Sequence, residues 1–127
     1  MDLEVIKKAL LQLGSGKIRF IILFGSTAQG LDTPLSDLDL AVYYQGDEPE
    51  RFDFRKKASG HLPDKVDLHV FQDLPLAVQK EAWEGKVLYY DDFDFIFTEF
   101  MRVIKDYNFF EKYYLSYLAE LRKEVEV

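Results

Sequence analysis

Two aspartates stand one residue apart in the segment SDLDLAVYY, which begins at Ser36. Asp37 and Asp39 alternate with leucines, so the segment predicts a strand that buries the leucines and presents both carboxylates on its other face. Two carboxylates about 7 Å apart on one face repel each other unless a cation lies between them. The pattern therefore indicates either an ordinary solvated strand face or a site for Mg²⁺, which binds carboxylates together with the phosphate oxygens of a substrate.

A third aspartate, Asp67, lies in the alternating segment KVDLHVF, which predicts another strand. If the two strands are neighbours, Asp67 can complete a carboxylate triad with Asp37 and Asp39. In that position it is also the natural general base for a hydroxyl nucleophile. His69 is expected on the same strand face, either as a polar neighbour of the site or as a further ligand.

A Gly-Ser pair precedes these aspartates by about a dozen residues. Gly25 follows the apolar run KIRFIILF, and a glycine at the end of a buried strand lets the backbone approach a ligand closely. The residues from Ser26 to Gly30 are enough for one helical turn, which would present a hydroxyl and free backbone N–H groups to an anion. An anion cradle followed by paired carboxylates suits a nucleoside triphosphate bound with magnesium.

The elements that must position these residues follow from the hydrophobic periodicity. The predicted order is helix, strand, strand, helix, strand, helix, strand and long helix, which indicates an α/β (α+β) domain with a small sheet. We expect one domain over residues 1–127, with its core at about 15–90. The predicted elements are a helix over 2–13, a central strand from Lys17, a strand from Asp37, a short helix over 50–60, a strand over 65–71, a helix over 75–84, a strand over 86–90 and a helix over about 93–125.

The composition excludes several classes of function. The chain has 127 residues, no cysteine and a formal net charge of −7. Disulfides, thiolate metal sites and a cysteine nucleophile are therefore excluded, and a cytoplasmic location is expected. The acidic balance argues against a protein that holds long nucleic acid by its phosphates. No apolar run reaches the roughly 18 residues of a membrane span, and the acidic, amphipathic first segment is not expected to be a signal peptide.

The segments GSTAQG and SDLDL together resemble the motif of the DNA polymerase β-like nucleotidyltransferase superfamily, and the short chain is similar to its minimal nucleotidyltransferases (MNT proteins). The resemblance implies a mixed-sheet palm fold and transfer of a nucleoside monophosphate from a triphosphate, with two Mg²⁺ ions. It assigns Gly25 and Ser26 to the phosphates, and Asp37, Asp39 and Asp67 to metal binding and catalysis. Many relatives carry arginine where Gln29 stands, which weakens any inference about how the triphosphate is gripped.

MNT proteins are often the antitoxins of HEPN-domain ribonucleases. The resemblance therefore implies an AMP transfer from ATP to a hydroxyl of a partner protein, in particular a tyrosine of a HEPN toxin. Two alternatives stay open. The acceptor could be a small molecule, although such enzymes usually need a further acceptor-binding domain, or the protein could neutralise its toxin by occlusion without catalysis.

The C-terminal helix carries more aromatic residues than a small domain needs. Its apolar stripe runs from Phe100 to Val125 and is widened by additional phenylalanines and tyrosines. This surface is either a wide core face or an interface with a partner or a second copy of the chain. Residues 91–127 hold nine acidic and five basic side chains, which would favour a basic partner.

Overall fold

The computed structural model describes residues 2–25 and 37–126 of the chain. Within these residues the element order is the predicted one, with one short 3₁₀ helix, Phe71–Asp73, added after the third strand. The single helical turn predicted after Gly25 lies outside the described residues. The elements are α1 (Leu3–Gly14), β1 (Ile18–Phe24), β2 (Leu38–Tyr44), α2 (Glu48–His61), β3 (Val66–Val70), α3 (Leu76–Trp83), β4 (Lys86–Tyr90) and α4 (Phe93–Glu126).

The four strands form one mixed sheet in the order β3-β2-β1-β4. The strand β1 lies in the interior of the sheet and pairs antiparallel with both β2 and β4. The pair β2–β3 is parallel. The predicted α+β class with a small mixed sheet and a long C-terminal helix is thus confirmed.

Each face of the sheet buries its own apolar cluster, as strand alternation requires. On one face α1 and α2 cover the side chains of Ile21, Leu40 and Leu68. On the other face α3 and α4 cover Phe20, whose ring contacts those of Tyr43, Phe71, Trp83 and Phe95 at 5.1–6.3 Å between centroids. Both faces are therefore closed by helices, and the polar residues of the strands must lie near the strand ends.

Local capping explains where α2 and β3 differ from their predicted bounds. The helix α2 begins at Glu48 rather than residue 50 because Asp47 caps it: the Asp47 carboxylate accepts from the Glu50 backbone N–H, and the Glu50 carboxylate accepts from the Asp47 backbone N–H. The strand β3 ends at Val70 because Phe71 starts the 3₁₀ helix, which seats its ring against Phe20.

The helix α4 is the longest element, with 34 residues. Despite its length, no helix in the described ranges is apolar enough over a sufficient span to cross a membrane. The first half of α4 packs on α3 and buries Ile96 and Val103 in the core. Residues 108–123 of its second half are exposed.

Gly85 allows the turn between α3 and β4 to lie directly on β1. A Cβ atom at this position would stand 2.1 Å from the backbone oxygen of Leu23, and backbone cannot move aside. We expect Gly85→Ala to lower the free energy of unfolding by about 1–3 kcal/mol, the usual cost of overpacking. Gly60→Ala is the matched control, because Gly60 lies within α2 and a Cβ there meets no atom within 4 Å.

In urea unfolding, Gly60→Ala should be neutral or stabilising by up to about 1 kcal/mol, since alanine is the better helix former. Equal midpoints for the two variants would contradict the close approach at Gly85.

Candidate active site

Asp39 and Asp67 lie side by side where β2 and β3 begin. The parallel register pairs Asp39 with Asp67 and Ala41 with His69, so all four side chains are on one face of the sheet. The intervening residues Leu38, Leu40, Val66 and Leu68 are buried on the opposite face. The alternation of each strand therefore holds its carboxylate outward, and the register brings the two carboxylates together.

His69 joins this pair. Its Nε2 atom lies 3.2 Å from Asp67 Oδ2 and 3.8 Å from Asp39 Oδ1. The imidazole ring also packs against Phe24, with 5.9 Å between ring centroids. The sequence predicts His69 on this face but does not show that its ring nitrogen comes within reach of both carboxylates, because that contact depends on the β2–β3 pairing.

The electrostatic environment of Asp39 is unfavourable for its ionised form. Partial burial, followed by the negative charge of Asp67, raises the pKa of Asp39 above its ordinary value. The charges of Asp37 and of Glu81 on α3 act in the same direction, whereas the charge of His69 opposes them. Negative charge therefore accumulates at this end of the sheet, and a bound cation would reduce the repulsion between the carboxylates.

Three potential ligand atoms, one each from Asp39, Asp67 and His69, lie within 4.8 Å of one another. Two carboxylates are hard oxygen donors of the kind that Mg²⁺ prefers, and the remaining positions of an octahedral ion would be available to phosphate oxygens and water. The donor set and the raised pKa of Asp39 thus fit a divalent cation. Asp37 stands exposed directly before β2 and is not a member of this close group, although its charge reaches Asp39.

Gly25 lies against the Asp39 carboxylate. It follows the last residue of β1, Phe24, which pairs with Asp39, and its φ angle is +82°. A Cβ atom on Gly25 would stand 2.6 Å from Asp39 Oδ2. The glycine predicted to contact phosphate is therefore next to the predicted metal ligand, whereas Ser26, Gln29 and Gly30 lie outside the described residues.

This contact yields a prediction for Gly25→Ala, with Gly16→Ala as the matched control. Gly16 has a φ angle of +80°, but a Cβ there meets no atom within 4 Å. Both variants place alanine in the left-handed region, so each should lose about 1–2 kcal/mol of stability. Only Gly25→Ala should also displace Asp39, which we expect to lower nucleotidyl transfer by roughly 10- to 100-fold. Equal turnover in the two variants, measured at a temperature where both are folded, would show that Gly25 does not hold the carboxylate in place.

The two arginines that line a cleft together with His69 are engaged in structural contacts. Arg51 forms a fork with the Asp73 carboxylate and donates to the Gly46 carbonyl. Arg55 donates from Nε to the Leu68 carbonyl at the outer edge of β3. These contacts tie α2 to β3 and its following turn, and they occupy donors that would otherwise be available to steer a triphosphate.

Comparison with known proteins places this geometry in a family. Residues 4–94 match the family described as polymerase beta, nucleotidyltransferase. No curated protein sequence matches the chain.

Several solved structures share the fold. A chain from a toxin–antitoxin crystal structure with AMP-PNP is 23% identical, with a TM-score of 0.71, 93% of this chain covered and 97% of that chain. A chain from a mutant of the toxin–antitoxin pair MntA-HpeT is 25% identical, with a TM-score of 0.71 and coverage of 95% and 98%.

A third similar chain comes from the complex of a tri-AMPylated Shewanella oneidensis HEPN toxin with its MNT antitoxin, at 18% identity, a TM-score of 0.66 and coverage of 94% and 98%. These matches agree with the resemblance that the Gly-Ser and Asp-x-Asp motifs indicate. The family match spans most of the chain and includes Gly25, Asp37, Asp39 and Asp67. The chain therefore belongs to the polymerase beta nucleotidyltransferase family and is similar in fold to chains of MNT–HEPN toxin–antitoxin complexes.

Proposed function

We propose that the chain is a magnesium-dependent nucleotidyltransferase that moves AMP from ATP to a hydroxyl group of a partner protein, a tyrosine of a HEPN ribonuclease toxin, and so acts as its antitoxin. The observation that carries this proposal is the in-register pair of Asp39 and Asp67 at one end of the sheet in a member of a nucleotidyltransferase family. The partner is inferred from the similar chains, which come from toxin–antitoxin complexes. The acceptor chemistry is inferred from one similar complex, whose HEPN toxin is tri-AMPylated.

In the proposed reaction the acceptor hydroxyl attacks the α-phosphorus of ATP. A new oxygen–phosphorus bond forms, the bond from the α-phosphorus to the α–β bridging oxygen breaks, and pyrophosphate leaves. The hydroxyl proton passes to the carboxylate of Asp67, which acts as the general base. Asp67 suits this role because it is the more exposed of the two strand carboxylates, at 51% against 32% for Asp39.

The carboxylates of Asp37, Asp39 and Asp67 would hold the magnesium, with two ions proposed by analogy with the family. Bound there, the metal supplies charge neutralisation for the phosphates and for the oxygens between which the phosphoryl group moves. The backbone at Gly25 and the following Ser26 would contact the β- and γ-phosphates. His69 keeps its Nε2 next to Asp67 and would hold one oxygen of that carboxylate in a fixed direction.

A cleft of about 420 Å³ opens on the far side of His69 from Asp39, between α2 and the edge of β3. Its lining includes Phe52, which is 64% exposed, and Arg55. An exposed phenylalanine in the cleft that His69 lines supports an acceptor that carries its hydroxyl on a ring, because rings stack favourably on phenylalanine. We place the reaction in the cytoplasm, where ATP is available.

The test uses ATP labelled at the α-phosphate or at the γ-phosphate, together with Mg²⁺ and the purified product of the neighbouring gene. We expect the α-label to appear on the partner protein and the γ-label to appear only in pyrophosphate. The Asp37→Asn/Asp39→Asn variant should transfer neither. Label on the partner from γ-labelled ATP would indicate phosphorylation and would overturn the proposal.

Occlusion is the second candidate, favoured by the exposed aromatic surface of α4. The two candidate functions are separated by measuring whether the Asp39→Asn variant still neutralises the toxicity of the partner. A catalytic antitoxin should lose neutralisation with this substitution, whereas a protein that only covers its toxin should keep it.

A further inference from the structure

The second half of α4 extends beyond the part of the helix that is buried in the core. Every residue from 108 to 123, here called the outer arm, is exposed. At 1.5 Å per residue the outer arm is about 24 Å long. Its large apolar side chains are between 38% and 75% exposed: Phe109, Phe110, Tyr113, Tyr114, Leu115, Tyr117, Leu118 and Leu121.

The outer arm has an apolar half and a polar half. At 100° per residue, most of the large apolar side chains fall within half of the helix circumference, with Tyr117 near the middle of that half. Lys112, Ser116 and Lys123 lie on the opposite side. A contiguous exposed aromatic surface of this kind marks an interface, and its width suits a groove between helices of the partner more than the narrow seam of a two-helix coiled coil.

The charges of α4 do not select the partner. Glu99 and Asp106 of α4 both contact Arg102, and Asp91, just before the helix, contacts Arg19. The outer arm itself carries two acidic and three basic side chains. The acidic excess of the C-terminal segment thus lies mainly away from the outer arm, and recognition there must be chiefly apolar.

The apolar groove beside β4 is too small to cover the outer arm of a second copy of this chain. The apolar groove that the fold forms beside β4, lined by Trp83, Tyr90, Phe93 and Phe97 among others, holds about 290 Å³. That volume takes one or two aromatic side chains, not the face of a helix some four turns long. An occupant that covers the outer arm therefore needs a larger groove than this one.

The outer arm leaves the domain beside α3. Just before it, the ring of Tyr107 lies under Lys80 of α3, with 4.9 Å from Nζ to the ring centroid. Glu111, in the first turn of the outer arm, is close enough to add to the rise in the pKa of Lys80, which is caused mainly by its hydrogen bond to Glu84. The adjacent residue of α3, Glu81, acts in turn on Asp39. Lys80, which contacts the base of the outer arm, and Glu81, whose charge acts on Asp39, are thus adjacent residues of α3.

We propose that the outer arm is the docking surface for the acceptor protein, that it binds an apolar groove between helices of that protein, and that docking presents the acceptor hydroxyl to Asp67. This inference rests on the proposed function. With side chains of roughly 200 Å² each, the exposed apolar area of the outer arm is on the order of 800 Å², which is the usual contribution of one partner to a stable interface.

The test compares Phe110→Ala/Tyr117→Ala with the matched control Lys112→Ala/Ser116→Ala on the polar side. Both pairs are exposed, and alanine favours helix, so neither should change the melting temperature. The probe is the purified product of the neighbouring gene. Its affinity is measured by calorimetry in the Asp39→Asn background, and AMP transfer is measured in the catalytic background.

Loss of two interface aromatics should weaken binding by about 100-fold and raise the KM for the acceptor similarly, whereas the control should stay within about threefold of the unsubstituted chain. Binding of Mg·ATP should be equal in all variants. If the unsubstituted chain transfers no AMP but the affinity still depends on Phe110 and Tyr117, the proposed function fails and the docking surface stands. Unchanged affinity in Phe110→Ala/Tyr117→Ala would overturn the docking surface. So would sedimentation showing a dimer of this chain that the same variant dissociates.

Discussion

Replacing Asp39 by asparagine is expected to reduce AMP transfer by roughly a thousandfold or more, because the substitution removes one of the three carboxylates that would hold magnesium against the triphosphate. Asparagine keeps the size of the side chain, so the packing of β2 against β3 should not change. The measurement is the rate of α-label transfer at saturating Mg²⁺ and ATP. Asp53→Asn is the matched control, since Asp53 is an exposed carboxylate on α2, away from the site.

The same substitution should stabilise the metal-free protein. Because the pKa of Asp39 is raised in the folded state, the folded chain binds this proton more tightly than the unfolded chain does. The stability that proton binding contributes is present at low pH and is lost as the pH rises through the folded-state pKa. Asp39→Asn removes this loss, so its melting temperature should exceed that of the unsubstituted chain at pH 7, and the two should converge near pH 4.

Magnesium should reverse this order, since the ion stabilises only a folded state that binds it. With Mg²⁺ and ATP at pH 7, the unsubstituted chain should therefore melt above Asp39→Asn. If Asp39→Asn melts below the unsubstituted chain at pH 7 without metal, the proposed crowding of negative charge is contradicted.

Asp67→Asn is expected to lower the rate of AMP transfer by about 10²- to 10⁴-fold, the range for loss of a general base. Unlike Asp39→Asn, it should leave much of the affinity for Mg·ATP intact, because the amide cannot accept the hydroxyl proton but Asp39 still faces the metal. The measurement is kcat together with the dissociation constant of Mg·ATP by calorimetry.

The outcome for Asp67→Asn also separates the two roles that the family assigns to this position. If Mg·ATP binding falls as far as in Asp39→Asn, Asp67 acts mainly as a metal ligand. If neither kcat nor binding changes, Asp67 has no part in the reaction, although β3 places it beside Asp39.

Local patterns were sufficient to predict the described strands and α-helices, and the strand face on which Asp39 and Asp67 lie. The leucines beside Asp39 and the apolar residues beside Asp67 determine which way each carboxylate points, since strand side chains alternate. The sequence alone does not predict that β2 pairs with β3, because the register between distant strands depends on tertiary packing. In the structure β2 and β3 are neighbours, and their register pairs Asp39 with Asp67.

Other features depend on contacts that no local pattern encodes. The sequence predicts that Gly85 ends a helix. Only the three-dimensional structure shows that this glycine lets the chain approach the Leu23 carbonyl. The sequence also does not show where α4 leaves the core. Its apolar stripe is continuous, but the side chains are buried or half-buried only as far as Val103 and Tyr107. The outer arm begins where the contacts between α4 and α3 stop, just after Tyr107, and the periodicity of α4 does not mark this point.

The central claim is that the carboxylate pair catalyses AMP transfer to a partner protein. The most direct measurement is the intact mass of the neighbouring gene product after co-expression with this chain or with its Asp39→Asn variant. We expect the partner to be heavier by whole AMP units with the unsubstituted chain and unmodified with the variant. A partner that is neutralised yet unmodified in both cases would contradict the claim and leave the protein as an antitoxin that acts by binding alone.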